Sequence, residues 1–229
     1  MSRVLLTGAS RGLGAALARA FTARGDAVVA VARNGDELRA TVASIPGAIH
    51  ALVGDVADKD QAHRIAGAAA ALIGPIDLLV LNHSTLGPLP MPLLLDTACE
   101  DLAGVLETNL VGPFRLIKAV ACPMALHGGG TVVGISSDAA MNAYAGWGAY
   151  GVSKAALDHL LRSFAAEVPE VRFLSFDPGE MDTRMHRDAV PDADPATLRQ
   201  PAWVAARILP LLGSPSGSRI EVAPSEGVA

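Results

Sequence analysis

Short apolar runs alternate with longer amphipathic or alanine-rich stretches along the chain. Runs at 4–6, 27–32, 49–53, 78–81, 132–135, 171–176 and 219–222 have the length and composition of strands. Helices are predicted between them: from the glycine-rich turn to about residue 24, then over 36–44, 59–73, 100–126, 149–167 and 201–212. Gly25 stands where a helix terminator is favoured. Strands that are apolar throughout, alternating with helices, predict right-handed βαβ crossovers and a parallel sheet covered on both faces. The expected fold class is α/β, a single-domain Rossmann-type doubly wound parallel sheet of about seven strands. No repeat, low-complexity stretch or linker divides the sequence, so one domain is expected over 1–229. The irregular segments 84–92 and 178–201 each follow a strand. That puts both at the carboxyl edge of the sheet, where open α/β folds bind ligands.

Composition adjusts this picture without changing it. The chain is 51% hydrophobic with a mean hydropathy of +0.36, which raises the question of a membrane. A spanning helix needs roughly 20 uninterrupted apolar residues, and none occurs: Gly87-Pro88-Leu89-Pro90-Met91-Pro92 shows how the uncharged runs are broken. The apolar excess is assigned instead to buried strands and close-packed helices. A net charge of −5 without a basic cluster argues against nucleic acid or an anionic membrane surface as partner. Cys99 and Cys122 lack metal-ligand spacing and read as buried thiols in a reducing compartment. No secretory leader precedes the first strand, so a cytoplasmic location is expected, with no metal.

The first candidate chemistry is Thr7-Gly8-Ala9-Ser10-Arg11-Gly12-Leu13-Gly14, between the first strand and the first helix. Glycines let backbone turn sharply and approach a pyrophosphate, and a helix N-terminus favours its charge. The spacing is Gly-x-x-x-Gly-x-Gly, and its position in a βαβ unit points to a dinucleotide. Gly8, Ser10, Arg11, Gly12, Leu13 and Gly14 are therefore candidate cofactor residues. At the end of the second strand Val31-Ala32-Arg33-Asn34 offers no carboxylate for a ribose. Arg33 with Arg11 is suited to a 2′-phosphate, which favours NADP(H) over NAD(H); two solvated surface arginines are the alternative. Asp55, with Val56 beside it, is placed to meet an adenine, although a capping or turn role suits Asp55 nearly as well.

The second is Tyr150-Gly151-Val152-Ser153-Lys154 at the start of a helix, which sets Tyr150 and Lys154 one turn apart on one face. An ammonium group there is expected to draw the phenol down from its usual value near 10. Ser136-Ser137 follow a buried strand and offer a hydroxyl to hold a carbonyl oxygen. An ordinary surface pair is the competing reading of Tyr-x-x-x-Lys.

With these motifs in this order, the chain resembles the short-chain dehydrogenase/reductase family along essentially its whole length. Thr7 to Gly14 is similar to that family's cofactor turn. Asn109, in Thr108-Asn109-Leu110-Val111-Gly112, matches its helix asparagine, and Ser137, Tyr150 and Lys154 its remaining catalytic residues. Pro178, Gly179, Met181 and Thr183 are similar to its Pro-Gly segment, where a threonine meets the nicotinamide carboxamide. The resemblance implies hydride transfer between NADPH and a small carbonyl or alcohol. Tyr150 would act as acid/base, Ser137 would orient the oxygen, and Lys154 would hold the nicotinamide ribose. Asn109 would hold a relay water through its main chain. The resemblance also implies a homodimer or homotetramer through the helices around 102–126 and 149–166.

One segment departs from the family. Where it has Asn-Asn-Ala-Gly, this chain has Leu81-Asn82-His83-Ser84, and Asn82 alone matches. Bulkier His83 and Ser84 are expected to reshape the cofactor wall, with His83 either touching the ligand or serving structurally. Met141, Tyr144, Trp147, Met181, Met185 and His186 are candidate pocket residues. An epimerase or dehydratase is disfavoured, since those relatives carry a further substrate domain. A catalytically silent nucleotide-sensing or scaffold protein on the same fold is the rival reading.

Overall fold

All seven apolar runs are strands of one sheet in the computed structural model, which describes residues 1–222; the last seven positions of the expected domain, 223–229, lie outside them. The strands are β1 Arg3–Thr7, β2 Ala27–Ala32, β3 Ile49–Val53, β4 Leu78–Leu81, β5 Gly130–Ile135, β6 Val171–Asp177 and β7 Arg219–Glu221. They lie in the order β3-β2-β1-β4-β5-β6-β7, and every neighbouring pair is parallel. The helices are α1 Gly12–Ala23, α2 Gly35–Ala43, α3 Ala62–Ile73, α4 Cys99–Leu106, α5 Gly112–Leu126, α6 Gly148–Glu167, α7 Arg184–Ala189 and α8 Pro201–Leu211.

Strand periodicity divides the core into two layers. Successive side chains of a strand point to opposite faces, so Val4 and Leu6 of β1 pack with Leu17, Phe21 and Ile208 on α1 and α8. Leu5 packs on the other face with Ile65, Ile117 and Leu157 of α3, α5 and α6. Fully buried side chains such as Phe21 and Phe173 each contribute roughly 1.5–3 kcal/mol relative to exposure. This single Rossmann-like domain reverses strand order between β1 and β4, and the switch opens a crevice at the carboxyl ends.

Three details differ from the sequence expectations. The helix expected over 100–126 is two helices, α4 and α5, joined by a π-helical turn at Glu107–Val111. The buried Asn109 side chain draws that turn inward, while Pro113 in the first turn of α5 has no N–H to continue a regular ladder. The segment 178–201 is not wholly irregular. It holds α7 and a 3₁₀ turn at Pro195–Thr197, and Met181 pairs with Arg199. Both cysteines are exposed, because Cys99 opens α4 and Cys122 sits on the outer face of α5. Among the described residues no helix is long and apolar enough to cross a membrane, and no cluster of metal-binding side chains occurs.

Candidate active site

The crevice is a cleft of about 960 Å³ that runs from Arg11 and Arg33 past His83 to Tyr150 and Met185. At its floor the chain leaves β1 through Gly8, whose φ of +67° is left-handed. A Cβ on Gly8 would sit 2.8 Å from His83 Cα, and one on Gly14 would sit 2.0 Å from the Gly8 carbonyl oxygen. The turn therefore lies against β4 only as bare backbone. Asn82 clamps it there, its Nδ2 donating to the carbonyls of Thr7 at 3.1 Å and Gly8 at 3.0 Å. Among the described residues no side chain caps α1, whose N-cap is Arg11, so its first-turn amides are available to an anion.

The two arginines differ in setting. Arg33 is exposed just beyond β2. Arg11 Nη1 lies 3.7 Å from Glu37 Oε2, which Ser10 Oγ approaches at 3.5 Å. Glu37 was not legible as a site residue in the sequence; it arrives because Asn34 Oδ1 caps α2 by accepting from the amides of Asp36 and Glu37. Asp55 lines the cleft, and its Oδ1 accepts from the Ala57 amide at 3.0 Å, so it has a turn role whatever else it meets. Val56 is buried in the wall.

His83 is held from both sides. Its Nε2 donates to the Thr108 carbonyl at 3.1 Å, and Nδ1 lies 2.7 Å from the Thr7 hydroxyl oxygen. Burial and the nearby Lys154 charge push its pKa down to about 3, so the ring is neutral. The unfolded histidine titrates near 6.5, so between about pH 6.5 and pH 3 the unfolded chain binds a proton that the folded chain refuses. Stability is fully present above that window and falls as pH drops through it. A His83→Gln variant is expected to flatten this part of the melting temperature against pH curve. An unchanged acid slope would show that His83 does not govern it.

At the far end of the cleft α6 carries Tyr150 and Lys154 at i and i+4, both buried. Tyr150 sits among Leu86, Met91, Met185 and Ala189, with the edge of Trp147 at 5.8 Å. Lys154 Nζ donates to the Ile135 carbonyl at 2.8 Å and lies 5.5 Å from the Tyr150 ring centre. Burial lowers the Lys154 ammonium to about 8, against the pull of Asp158. The phenol does not move down as expected. Burial pushes it up to about 12, opposed by the hydroxyls of Ser137 and Ser84 and aided by the charges of Asp177 and Asp138. Tyr150 therefore stands protonated at neutral pH, as a donor.

Ser137 begins the loop after β5. Its hydroxyl donates to Asp138 Oδ1 at 3.0 Å and accepts from the Ala139 amide at 3.2 Å. Asn109 stands behind the cleft wall. Its Nδ2 donates to the Thr85 carbonyl at 2.8 Å and Ser153 Oγ at 2.9 Å, while Oδ1 accepts from the Thr85 amide at 2.8 Å and the Ser84 hydroxyl at 3.2 Å. Its side chain thus ties the loop after β4 to α6. Pro178, Gly179, Met181 and Thr183 line the opposite wall, where Thr183 Oγ1 caps α7 by accepting from the His186 amide. Met141 is 67% exposed and lies outside the wall, whereas Tyr144, Trp147, Met181, Met185 and His186 line it. Ser84 lines the cleft, as expected of that segment, whereas Ser153 and Glu37 were missed, since no local spacing marks a residue whose partners lie on other elements.

The hydroxyl of Ser136 is buried in this wall with no partner among the described residues. A buried polar atom without a bond calls for a partner, such as an ordered water or a ligand. With the uncapped helix start and the side-chain-free turn, it fits a bound dinucleotide.

A family model described as short chain dehydrogenase matches residues 2–194. This chain belongs to the short chain dehydrogenase family. It is an oxidoreductase of that family and uses a nicotinamide cofactor. It is 33% identical over 224 residues to carbonyl reductase family member 4 of Danio rerio, covering 94% of this chain and 93% of the relative. It is 37% identical over 185 residues to an uncharacterized oxidoreductase of Mycobacterium tuberculosis (strain CDC 1551 / Oshkosh), covering 78% and 69%. Among solved structures, a 7-alpha-hydroxysteroid dehydrogenase complexed with NADH and 7-oxo glycochenodeoxycholic acid superposes with a TM-score of 0.88 at 28% identity. That alignment covers 98% of this chain and 93% of the other.

Proposed function

We propose that this chain is an NADPH-dependent oxidoreductase that interconverts a small carbonyl compound and its alcohol, with Tyr150 as acid/base. The observation that carries the reading is the buried pair of Tyr150 and Lys154, one helical turn apart at the end of a cleft that begins at a bare glycine turn. The dinucleotide, when bound, supplies or accepts the hydride. The chain's own residues manage the oxygen and its proton. The Ser137 hydroxyl turns from Asp138 to the substrate oxygen, and the protonated Tyr150 donates to that oxygen as negative charge develops on it. Lys154, fastened at Ile135, holds the ribose and stabilises the phenolate left behind. Asn109 keeps the loop after β4 against α6, so that this geometry is in place before substrate arrives. Leu86, Met91, Trp147, Met185 and Ala189 around the phenol favour an apolar substrate body and exclude water.

Arg11 and Arg33 favour the 2′-phosphate of NADPH over NADH, Arg11 exchanging Glu37 for the phosphate. The steroid dehydrogenase above carries NADH, so the preference rests on these arginines and not on the relatives. Fluorescence titration tests it. NADPH is expected to bind at least ten-fold tighter than NADH, since each charge-assisted bond to phosphate contributes about 1.5–3 kcal/mol. Arg33→Ala should remove most of that difference while leaving NADH affinity unchanged. Tighter binding of NADH would overturn the assignment. Consumption of NADPH against a panel of ketones and aldehydes then tests turnover, and binding without turnover of any of them would favour the silent, nucleotide-sensing reading.

A homodimer or homotetramer in the cytoplasm completes the reading. Phe114 on α5 and Val152 on α6 are large apolar side chains exposed on the monomer, and burying them against a second copy suits a two-fold contact.

A further inference from the structure

β7 is three residues long at the sheet edge, yet its first residue bonds to the loop that carries Ser137. The Arg219 side chain is 14% exposed. Its Nε donates to Asp158 Oδ2 at 3.1 Å, and its Nη2 to Asp177 Oδ2 at 2.9 Å and the Ser137 carbonyl oxygen at 3.0 Å. Nη1 donates to Glu221 at 2.8 Å. Asp158 follows Lys154 by one turn of α6 and also accepts from the Ser175 hydroxyl. Asp177 ends β6 just before Pro178 and Gly179. One guanidinium therefore fastens the Ser137 loop, the helix bearing Tyr150 and Lys154, the end of β6, and β7. Arg219 itself does not line the cleft.

Burial opposes its charge, but Glu221, Asp177 and Asp158 outweigh that and keep it cationic. Removing one partner of a buried ion network leaves the others charged and unpaired. The groups that face the Tyr150 phenol are Lys154 from its own helix, Asp138 after β5, Asp177 at the end of β6, and the hydroxyls of Ser137 and Ser84. Lys154 is faced in turn by Asp158 and by neutral His83. Of the two carboxylates that act on the phenol, Asp177 is the one Arg219 pairs.

We propose that Arg219 is a positioning residue for the reaction: it holds the Ser137 backbone against α6 and screens Asp177 from Tyr150. The assignment rests on the oxidoreductase reading above. It is a property of this chain's own residues at 158, 177 and 219, and it makes the short last strand part of the catalytic apparatus.

The test is the pH profile of alcohol oxidation with NADP⁺ for wild type, Arg219→Met, Arg219→Lys and the double variant Arg219→Met/Asp177→Asn. Oxidation needs the phenolate, so an unscreened Asp177 moves the rising limb to higher pH. Arg219→Met is expected to shift that limb up by about one unit and to lower kcat about ten-fold or more, with NADPH affinity unchanged. Adding Asp177→Asn should return the limb and leave kcat low, a result that a merely structural role does not produce. Arg219→Lys keeps the charge but not the bond set. It should leave the limb in place with kcat reduced severalfold, and it carries the test if Arg219→Met fails to fold. A limb unmoved in Arg219→Met, a limb not returned by Asp177→Asn, or wild-type kcat in Arg219→Lys would each overturn the proposal. Wild-type protein that binds NADPH but turns over no carbonyl or alcohol would instead sink the carbonyl–alcohol reading, and this assignment with it.

Discussion

Replacing Tyr150 with phenylalanine is expected to cut turnover by between about a hundred-fold and ten-thousand-fold, the range set by losing a positioned acid or base. The ring is buried among Leu86, Met185 and the edge of Trp147, and phenylalanine keeps all of those contacts. Melting temperature and NADPH affinity should therefore stay close to wild type. That separates a chemical loss from a structural one. The phenol is held protonated by its burial, so the wild-type enzyme should reduce carbonyls across neutral pH with a flat profile. Oxidation should rise with pH and need the bound cofactor's positive charge with Lys154 to draw the phenol down. Turnover within a few-fold of wild type in Tyr150→Phe would exclude Tyr150 as the proton donor.

The second large effect is expected at Gly14. An alanine Cβ there would lie 2.0 Å from the Gly8 carbonyl oxygen and 2.6 Å from Asn82 Nδ2. The first contact is backbone and cannot rotate away, so the start of α1 must move off the turn. The strain of such overpacking costs about 1–3 kcal/mol, and the displacement also breaks the Asn82 clamp on Thr7 and Gly8. Gly14→Ala should lower the melting temperature and weaken NADPH binding by more than ten-fold, because the amides that meet the pyrophosphate no longer converge. Calorimetry and fluorescence titration read the two losses separately. Stable protein with wild-type NADPH affinity would show that the turn tolerates the shift and that its spacing is not what binds the cofactor.

The amino-acid sequence by itself determined whatever depends on local period and local backbone freedom. Seven apolar runs at strand length, separated by helices, leave few alternatives to a doubly wound parallel sheet. The pairing of Tyr150 with Lys154 is legible because a helix returns to the same face after four residues. The turn from Gly8 to Gly14 is legible because its placement between a strand and a helix requires glycine. The positions of Ser137 and of the Pro178–Gly179 segment follow from the same logic, since each ends a strand at the edge where the crevice opens.

The tertiary structure decided what depends on contacts between distant elements. Nothing near Cys99 or Cys122 says which helix face turns outward. The break at Glu107–Val111 changes helical phase by a single insertion, and it is stabilised by what Asn109 finds on the loop after β4 and on α6. Glu37 meets Arg11, and His83 bridges Thr7 and Thr108, only because crossovers bring those segments together. The phenol of Tyr150 moved up and not down because burial is a property of the whole fold, and the cost of desolvating an anion outweighs the help of the neighbouring hydroxyls. Arg219 is the extreme case. No motif in the sequence marks it, and only the closing of β7 onto β6 brings its charge against Asp158 and Asp177, where a low-dielectric interior makes it count.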